Sequence, residues 1–133
     1  MEKTINITKA LADGNRLRVI NALMDQNELC VCQITEMLGH STPTVSRHMS
    51  VLQNAALVRS RKEGRWVYYR LSETFPPILL QWLKDAMGNA EEIIRDKEKL
   101  EGVFSCGVEA LCRTQRLRRN CRAALKKKKE STK

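Results

Sequence analysis

The chain of 133 residues and 15.3 kDa is long enough for one domain with its own core and too short for two ordinary ones. Hydrophobic residues at 42% and charged residues at 29% exclude a disordered or fibrous protein, and no apolar run approaches the roughly 20 residues of a membrane span. The net charge of +9 is unevenly placed: residues 41–70 carry 6 basic and 1 acidic side chains, residues 106–133 carry 10 and 2, and the remainder is slightly acidic. Two basic islands in an otherwise balanced chain point to a polyanionic partner, of which nucleic acid is the common one.

Residues 5–25 read as helical, with Leu17, Ile20, Leu23 and Met24 at spacings of three and four and with Arg16, Arg18 and Asp25 turned outward. Asp13-Gly14-Asn15 interrupts this stretch and predicts two helices rather than one. A short β-prone run, Glu28 to Cys32, leads into a compact helix, Ile34–Leu38, closed by Gly39 as a C-cap. His40-Ser41-Thr42-Pro43 then opens a further helix over residues 43–55, with a Ser or Thr N-cap and proline in its first turn. Its apolar face is Val45, Met49 and Leu52, while Thr44, Arg47 and Ser50 lie away from it. Two short helices joined by a tight glycine turn, the second basic on its outer side, predict a helix-turn-helix.

Residues 57–61 and 65–71 form two β-rich runs around Lys62-Glu63-Gly64, where Gly64 supplies the positive φ of a tight hairpin. Arg61, Lys62 and Arg65 cluster at its tip, so the hairpin is expected to act as a wing reaching the phosphates beside the helix. Beyond Pro76-Pro77 the pattern predicts one long helix over residues 78–101. Leu79, Leu83, Met87, Ala90 and Ile94 form one stripe, and Ile78 and Trp82 begin a second. A helix apolar on two faces needs a second surface to cover it, and a homodimer is the simplest one. The expected fold is mainly α with a β-hairpin, a winged helix-turn-helix homodimer. Residues 1–101 are its DNA-binding and dimerisation domain, and residues 102–133 are a basic, cysteine-containing and flexible tail.

Five cysteines, Cys30, Cys32, Cys106, Cys112 and Cys121, are an odd number in a chain whose first residues show no signal-peptide pattern. That predicts free thiols in the cytoplasm, with no membrane association, rather than a disulfide framework. No glycine-rich phosphate loop surrounds any cysteine, and no Cys-x-x-Cys is present, which speaks against a thiol enzyme such as an arsenate reductase.

Glu28-Leu29-Cys30-Val31-Cys32, Ser46-Arg47-His48-Met49 and the run from Gly64 to Leu71 occur in order after the segment from Ala10 to Arg18. Together they resemble the ArsR/SmtB family of metal-responsive repressors, over about residues 8–100. The resemblance implies a winged helix-turn-helix homodimer that represses its own operon at an inverted-repeat operator and leaves DNA when a toxic metal or metalloid binds. Carried onto this chain, it puts Thr42, Thr44, Ser46 and Arg47 at the DNA, with His48 supporting them and Arg61, Lys62 and Arg65 on the wing. Arg47 is the strongest candidate for a guanine contact, because its planar fork bridges two acceptors in the major groove.

The Cys30/Cys32 motif resembles the arsenic, antimony and cadmium/lead branch, in which these cysteines start the first helix of the pair. Soft thiolates select such ions, so As(III) or Sb(III) is the expected inducer, with no organic cofactor. The third cysteine usual in the arsenic repressors is replaced here by Thr35. No cysteine precedes Cys30, as the cadmium type would require, and the Asp/His pattern of zinc sensors is absent. Two arrangements stay open: Cys30 and Cys32 recruit a thiol from the carboxy-terminal segment, or Cys106 and Cys112, with or without Cys121, form a separate site resembling those of arsenic repressors whose ligands follow the last helix. A thiol redox or persulfide sensor, or a cadmium/lead sensor, is the alternative within the same fold.

Overall fold

The computed structural model describes residues 1–104. Its elements in chain order are α1 (Glu2–Leu11), α2 (Gly14–Asp25), β1 (Leu29–Cys30), α3 (Val31–Leu38), α4 (Thr42–Asn54), β2 (Val58–Glu63), β3 (Trp66–Leu71), α5 (Pro77–Met87) and α6 (Glu91–Phe104). The break between α1 and α2 falls where the Asp-Gly-Asn sequence predicts it. Asp13 is the N-cap of α2, its carboxylate accepting from the backbone N–H of Asn15 at 2.9 Å and of Arg16 at 3.2 Å. Cys106, Cys112, Cys121 and the lysine-rich run lie outside the described residues, as does most of the expected tail.

Helices α3 and α4 pack against each other through a three-residue connection. Gly39 turns the chain at φ +71°, a left-handed conformation that costs glycine nothing, and its N–H caps the Thr35 carbonyl at 2.9 Å. Ser41 is the N-cap of α4; its hydroxyl pairs with that of Thr44 at 2.9 Å instead of capping a backbone N–H. Val45, Met49 and Leu52 are fully buried, so the face assigned to the core is the face that enters it. Around them lie Ile20, Leu29, Ile34, Met37 and Leu57, which form the centre of a single main core.

The hairpin pairs Val58 with Leu71 through Glu63 with Trp66, leaving Gly64 and Arg65 as a two-residue turn with Gly64 at φ +60°. β1 adds a third strand, in the order β1-β3-β2, with Leu29 opposite Tyr69 and Cys30 opposite Tyr68. The fold is therefore mainly helical with a small antiparallel sheet, the winged helix-turn-helix arrangement that the sequence predicts.

The long carboxy-terminal helix expected over residues 78–101 is two helices. α5 ends at Met87, Gly88 and Asn89 carry the turn, and α6 folds back onto α2 and α3. Gly88 and Asn89 are weak helix formers, and a Cβ on Gly88 would stand 2.8 Å from the Lys84 carbonyl oxygen. The inward face of α6 is Ile93, Asp96, Leu100 and Val103, all buried, whereas Ile94 of the expected stripe is 48% exposed. Arg16 and Arg18 also turn inward: Arg16 donates to the Ala10 carbonyl at 2.7 Å, and Arg18 reaches Asp96.

Candidate DNA interface and thiol site

The outer face of α4 carries the side chains expected at DNA. Arg47 and Ser50 are exposed, and Thr42, Thr44 and Ser46 are half-buried at its edge. His48 is held differently. Its Nδ1 lies 3.2 Å from Arg16 Nη1 and 4.0 Å from Asp13 Oδ1, and its side chain is partly buried. At the head of the helix, exposed His40 pairs its Nε2 with Asn15 Nδ2 at 3.2 Å, an anchor to α2 that sequence reading missed. Only its place beside the Ser-Thr-Pro start pointed to it.

On the wing, Lys62 and Arg65 are exposed, and Arg65 lies over the Trp66 ring at 5.2 Å. Arg61 is engaged instead. Its Nε and Nη2 donate to both Glu28 carboxylate oxygens at 2.7 and 2.6 Å, its Nη1 donates to Glu63 at 2.9 Å, and its guanidinium stacks 4.4 Å above the Tyr68 ring. The Arg61 hydrogen bond holds the Glu28 carboxyl below the ordinary carboxylate range. Further along the hairpin, Glu73 binds Arg70 and Arg59, and those cations hold its carboxyl down to about 2.

The two amino-terminal cysteines sit where β1 becomes α3. Cys30 is the N-cap of α3, and its backbone N–H donates to Gln33 Oε1 at 2.8 Å, closing a capping box in which the Cys30 side chain faces the N-terminal N–H groups. Burial pushes the Cys30 thiol up, and the N–H donors of Val31, Cys32 and Gln33 offset this only in part. Cys32, 8% exposed, shares a small apolar cluster with Cys30 and Val103, flanked by Val31, Trp66 and Tyr68. An ion site that uses these cysteines needs them as thiolates and so belongs to the reduced protein. Among the described residues no group of three His, Cys, Asp or Glu side chains is placed to hold a metal ion. Cys30 and Cys32 supply two soft donors, and Cys106, Cys112 and Cys121 lie outside the described residues. Among the described residues, no helix is long and apolar enough to cross a membrane.

Comparison with known proteins agrees with this layout. Residues 13–60 match the family described as bacterial regulatory protein, arsR family, which takes in α2, the helix-turn-helix and the first half of β2. The chain is 43% identical over 72 residues to the arsenical resistance operon repressor of Escherichia coli, a match covering 54% of this chain and 62% of that protein. It is 43% identical over 61 residues to the cadmium resistance transcriptional regulatory protein CadC of Listeria innocua, covering 46% of this chain and 51% of that one. The matches thus span about six tenths and about half of those two relatives. Among solved structures, HlyU of Vibrio cholerae superposes with a TM-score of 0.60 at 32% identity, covering 66% of this chain and 95% of that one.

Proposed function

Because the chain belongs to the bacterial arsR family of regulatory proteins, we propose that it is a transcriptional repressor released from operator DNA by As(III) or Sb(III). It acts by binding, not by catalysis, on cytoplasmic DNA. Paired copies of α4 enter successive major grooves of an inverted repeat, with Arg47 as the base-reading side chain and Lys62 and Arg65 on flanking phosphates. Thr42, Thr44 and Ser46 complete the contact surface, and His48, together with Asp13 and Arg16, fixes the helix from behind.

The observation that carries the inducer is the position of the thiols. Cys30 caps α3, and α3 packs on α4, so an ion that draws Cys30 and Cys32 together pulls on the start of the helix that holds the reading head. A thiophilic ion with three sulfur ligands needs one more donor. Val103 touches the Cys30/Cys32 cluster, and Cys106 follows three residues later, within about 10 Å of chain. Cys106 is therefore our third ligand, in preference to a separate Cys106/Cys112/Cys121 site. Residues 1–101 then form the regulatory domain, and residues 102–133 supply the thiol and a basic tail.

Binding of the ion weakens DNA binding by a coupling free energy of about 1–3 kcal/mol, and DNA weakens ion binding equally. The test is release of reduced protein from its own upstream DNA, at fixed salt, on titration with arsenite. Wild-type protein leaves the DNA, while Cys30→Ser with Cys32→Ser binds DNA normally and stays bound. Normal release of that double variant eliminates this site. The packing of Cys30 and Cys32 in one cluster favours a second reading, a thiol redox sensor in which these cysteines oxidise instead of binding an ion. Release by peroxide or polysulfide with no response to arsenite selects it, and release by cadmium alone selects the activity named for the CadC relative.

A further inference from the structure

The three-stranded sheet places one residue from each strand in a single cross-strand row: Cys30 on β1, Tyr68 on β3 and Arg61 on β2. Directly opposed residues share a face of the sheet, and here they touch in sequence. Cys30 packs with Tyr68, and Arg61 stacks on Tyr68 at 4.4 Å. Glu28, immediately before β1, closes the row by taking Arg61 in a two-pronged pair at 2.6 and 2.7 Å. The thiol segment and the wing are thus joined by one contiguous set of contacts that does not pass through α4.

A guanidinium fork fits a carboxylate and a phosphate in the same bidentate way. Glu28 occupies the Nε/Nη2 edge of the guanidinium and Glu63 takes Nη1, so a phosphate that grips Arg61 by that edge must displace Glu28. Lys62 and Arg65, one and four residues on, stand exposed at the hairpin tip with no carboxylate partner among the described residues. We propose that Glu28 is a positioning residue that competes with DNA phosphate for Arg61, and that an ion on Cys30 strengthens its hold through Tyr68. In the DNA complex Arg61 turns to the backbone; with the thiol site filled, β1 is fixed and Glu28 keeps the arginine. The competition rests only on DNA binding by the wing, and its control by Cys30 rests on the inducer proposed above.

The test is a double-mutant cycle on the reduced full chain, using a labelled duplex from its own upstream region and anisotropy over a range of salt. Glu28→Gln binds more tightly than wild type. The slope of log affinity against log salt steepens by about 0.9 for the phosphate that Arg61 gains. In an Arg61→Gln background, Glu28→Gln changes neither quantity. A gain that persists without Arg61 is general charge repulsion and overturns the proposal, as does weaker DNA binding by a Glu28→Gln protein whose circular dichroism is native. With arsenite added, the ratio of DNA affinities without and with the ion falls by about threefold or more in Glu28→Gln. Arsenite binding without DNA, followed by tryptophan fluorescence, weakens by a similar factor in Glu28→Gln, because an ion that strengthens the Glu28–Arg61 pair is itself held more tightly by it. An unaltered ratio overturns the link to Cys30. If the cycle behaves as expected while wild-type protein ignores arsenite, the competition stands and the inducer reading fails.

Discussion

Asp96 of α6, 3% exposed, receives Arg18 of α2 on both carboxylate oxygens, at 2.9 Å from Nε and 2.7 Å from Nη2. The same guanidinium donates to Asn15 Oδ1 at 3.1 Å and to the Met37 carbonyl at 3.4 Å, so it touches α2, α3 and α6 together. The carboxylate in turn raises the affinity of Arg18 for its proton, chiefly through the hydrogen bond. Asn15 is also the residue that holds His40 at the head of α4. The helix that ends beside the cysteines is therefore tied by hydrogen bonds to the turn that presents the reading helix.

Removing one side of this pair strands the other. Asp96→Ala is expected to cost about 3 kcal/mol, the lower end for a broken buried pair, because Arg18 keeps two other acceptors and is 24% exposed. Arg18→Met leaves the carboxylate itself buried and costs at least as much. The double variant Asp96→Leu with Arg18→Met, which removes both charges, costs less than either single change. Urea unfolding followed by circular dichroism measures all three.

Cys30 combines a helix N-terminus, which favours thiolate, with burial, which opposes it more strongly. Its folded affinity for a proton is raised, so at neutral pH it is a thiol, and thiolate appears only as pH rises past the ordinary thiol range. Alkylation of Cys30 in the native, reduced protein is expected to be slow and to climb about tenfold per pH unit beyond pH 9. A small free thiol levels off near its own value of about 8.5. Peptide mapping by mass spectrometry after timed iodoacetamide exposure gives the rate. A fast, pH-independent reaction at pH 7 shows that the site is neither buried nor protonated.

Much of this architecture was legible in local pattern. The Asp13-Gly14-Asn15 break, the Gly39 stop, the Val45/Met49/Leu52 face and the Gly64 hairpin are each determined by residues close together in the chain. The split of the last helix was not legible, because Leu79, Leu83, Met87 and Ala90 keep one period across the break while both helices face the same core. Gly88-Asn89 was the available signal. The roles of Arg18 and Arg61 were invisible for a different reason. Their carboxylates lie 78 and 33 residues away, and no periodicity reports a pairing made only by the folded chain. Thus Arg61 read as a free phosphate ligand, although its place on the wing was right.

Two glycines with open space around them separate backbone strain from crowding. A Cβ on Gly39 or Gly14 meets nothing within 4 Å, but Gly39 sits at φ +71° and Gly14 lies in the first turn of α2. Gly39→Ala is expected to destabilise by about 1 kcal/mol, since alanine resists the left-handed region. Gly14→Ala is expected to stabilise by about 0.4–1 kcal/mol, because it restricts the unfolded chain at no cost to the fold. Thermal melts of the two variants should therefore move in opposite directions. Gly39→Asn, which tolerates this conformation better, should recover part of the loss.

The remaining apolar surface tests the dimer. Ile78 and Trp82 on α5 are 87% and 61% exposed, and Ile5 on α1 is 44% exposed. Ile78 and Trp82 lie one turn apart, away from Leu83, which enters the core. Such residues contribute almost nothing to the protomer while they face water, so Ile78→Glu with Trp82→Glu should leave its melting behaviour close to that of a wild-type protomer. If a second copy covers this face, the two charges would be buried against each other across the symmetry axis, and the pair dissociates. Sedimentation is expected to move from a dimer to a single 15.3 kDa chain. Affinity for an inverted repeat should then fall by about 100-fold or more as the second half-site is lost, while affinity for a half-site alone is unchanged. A variant that sediments as a dimer places the interface elsewhere on the molecule.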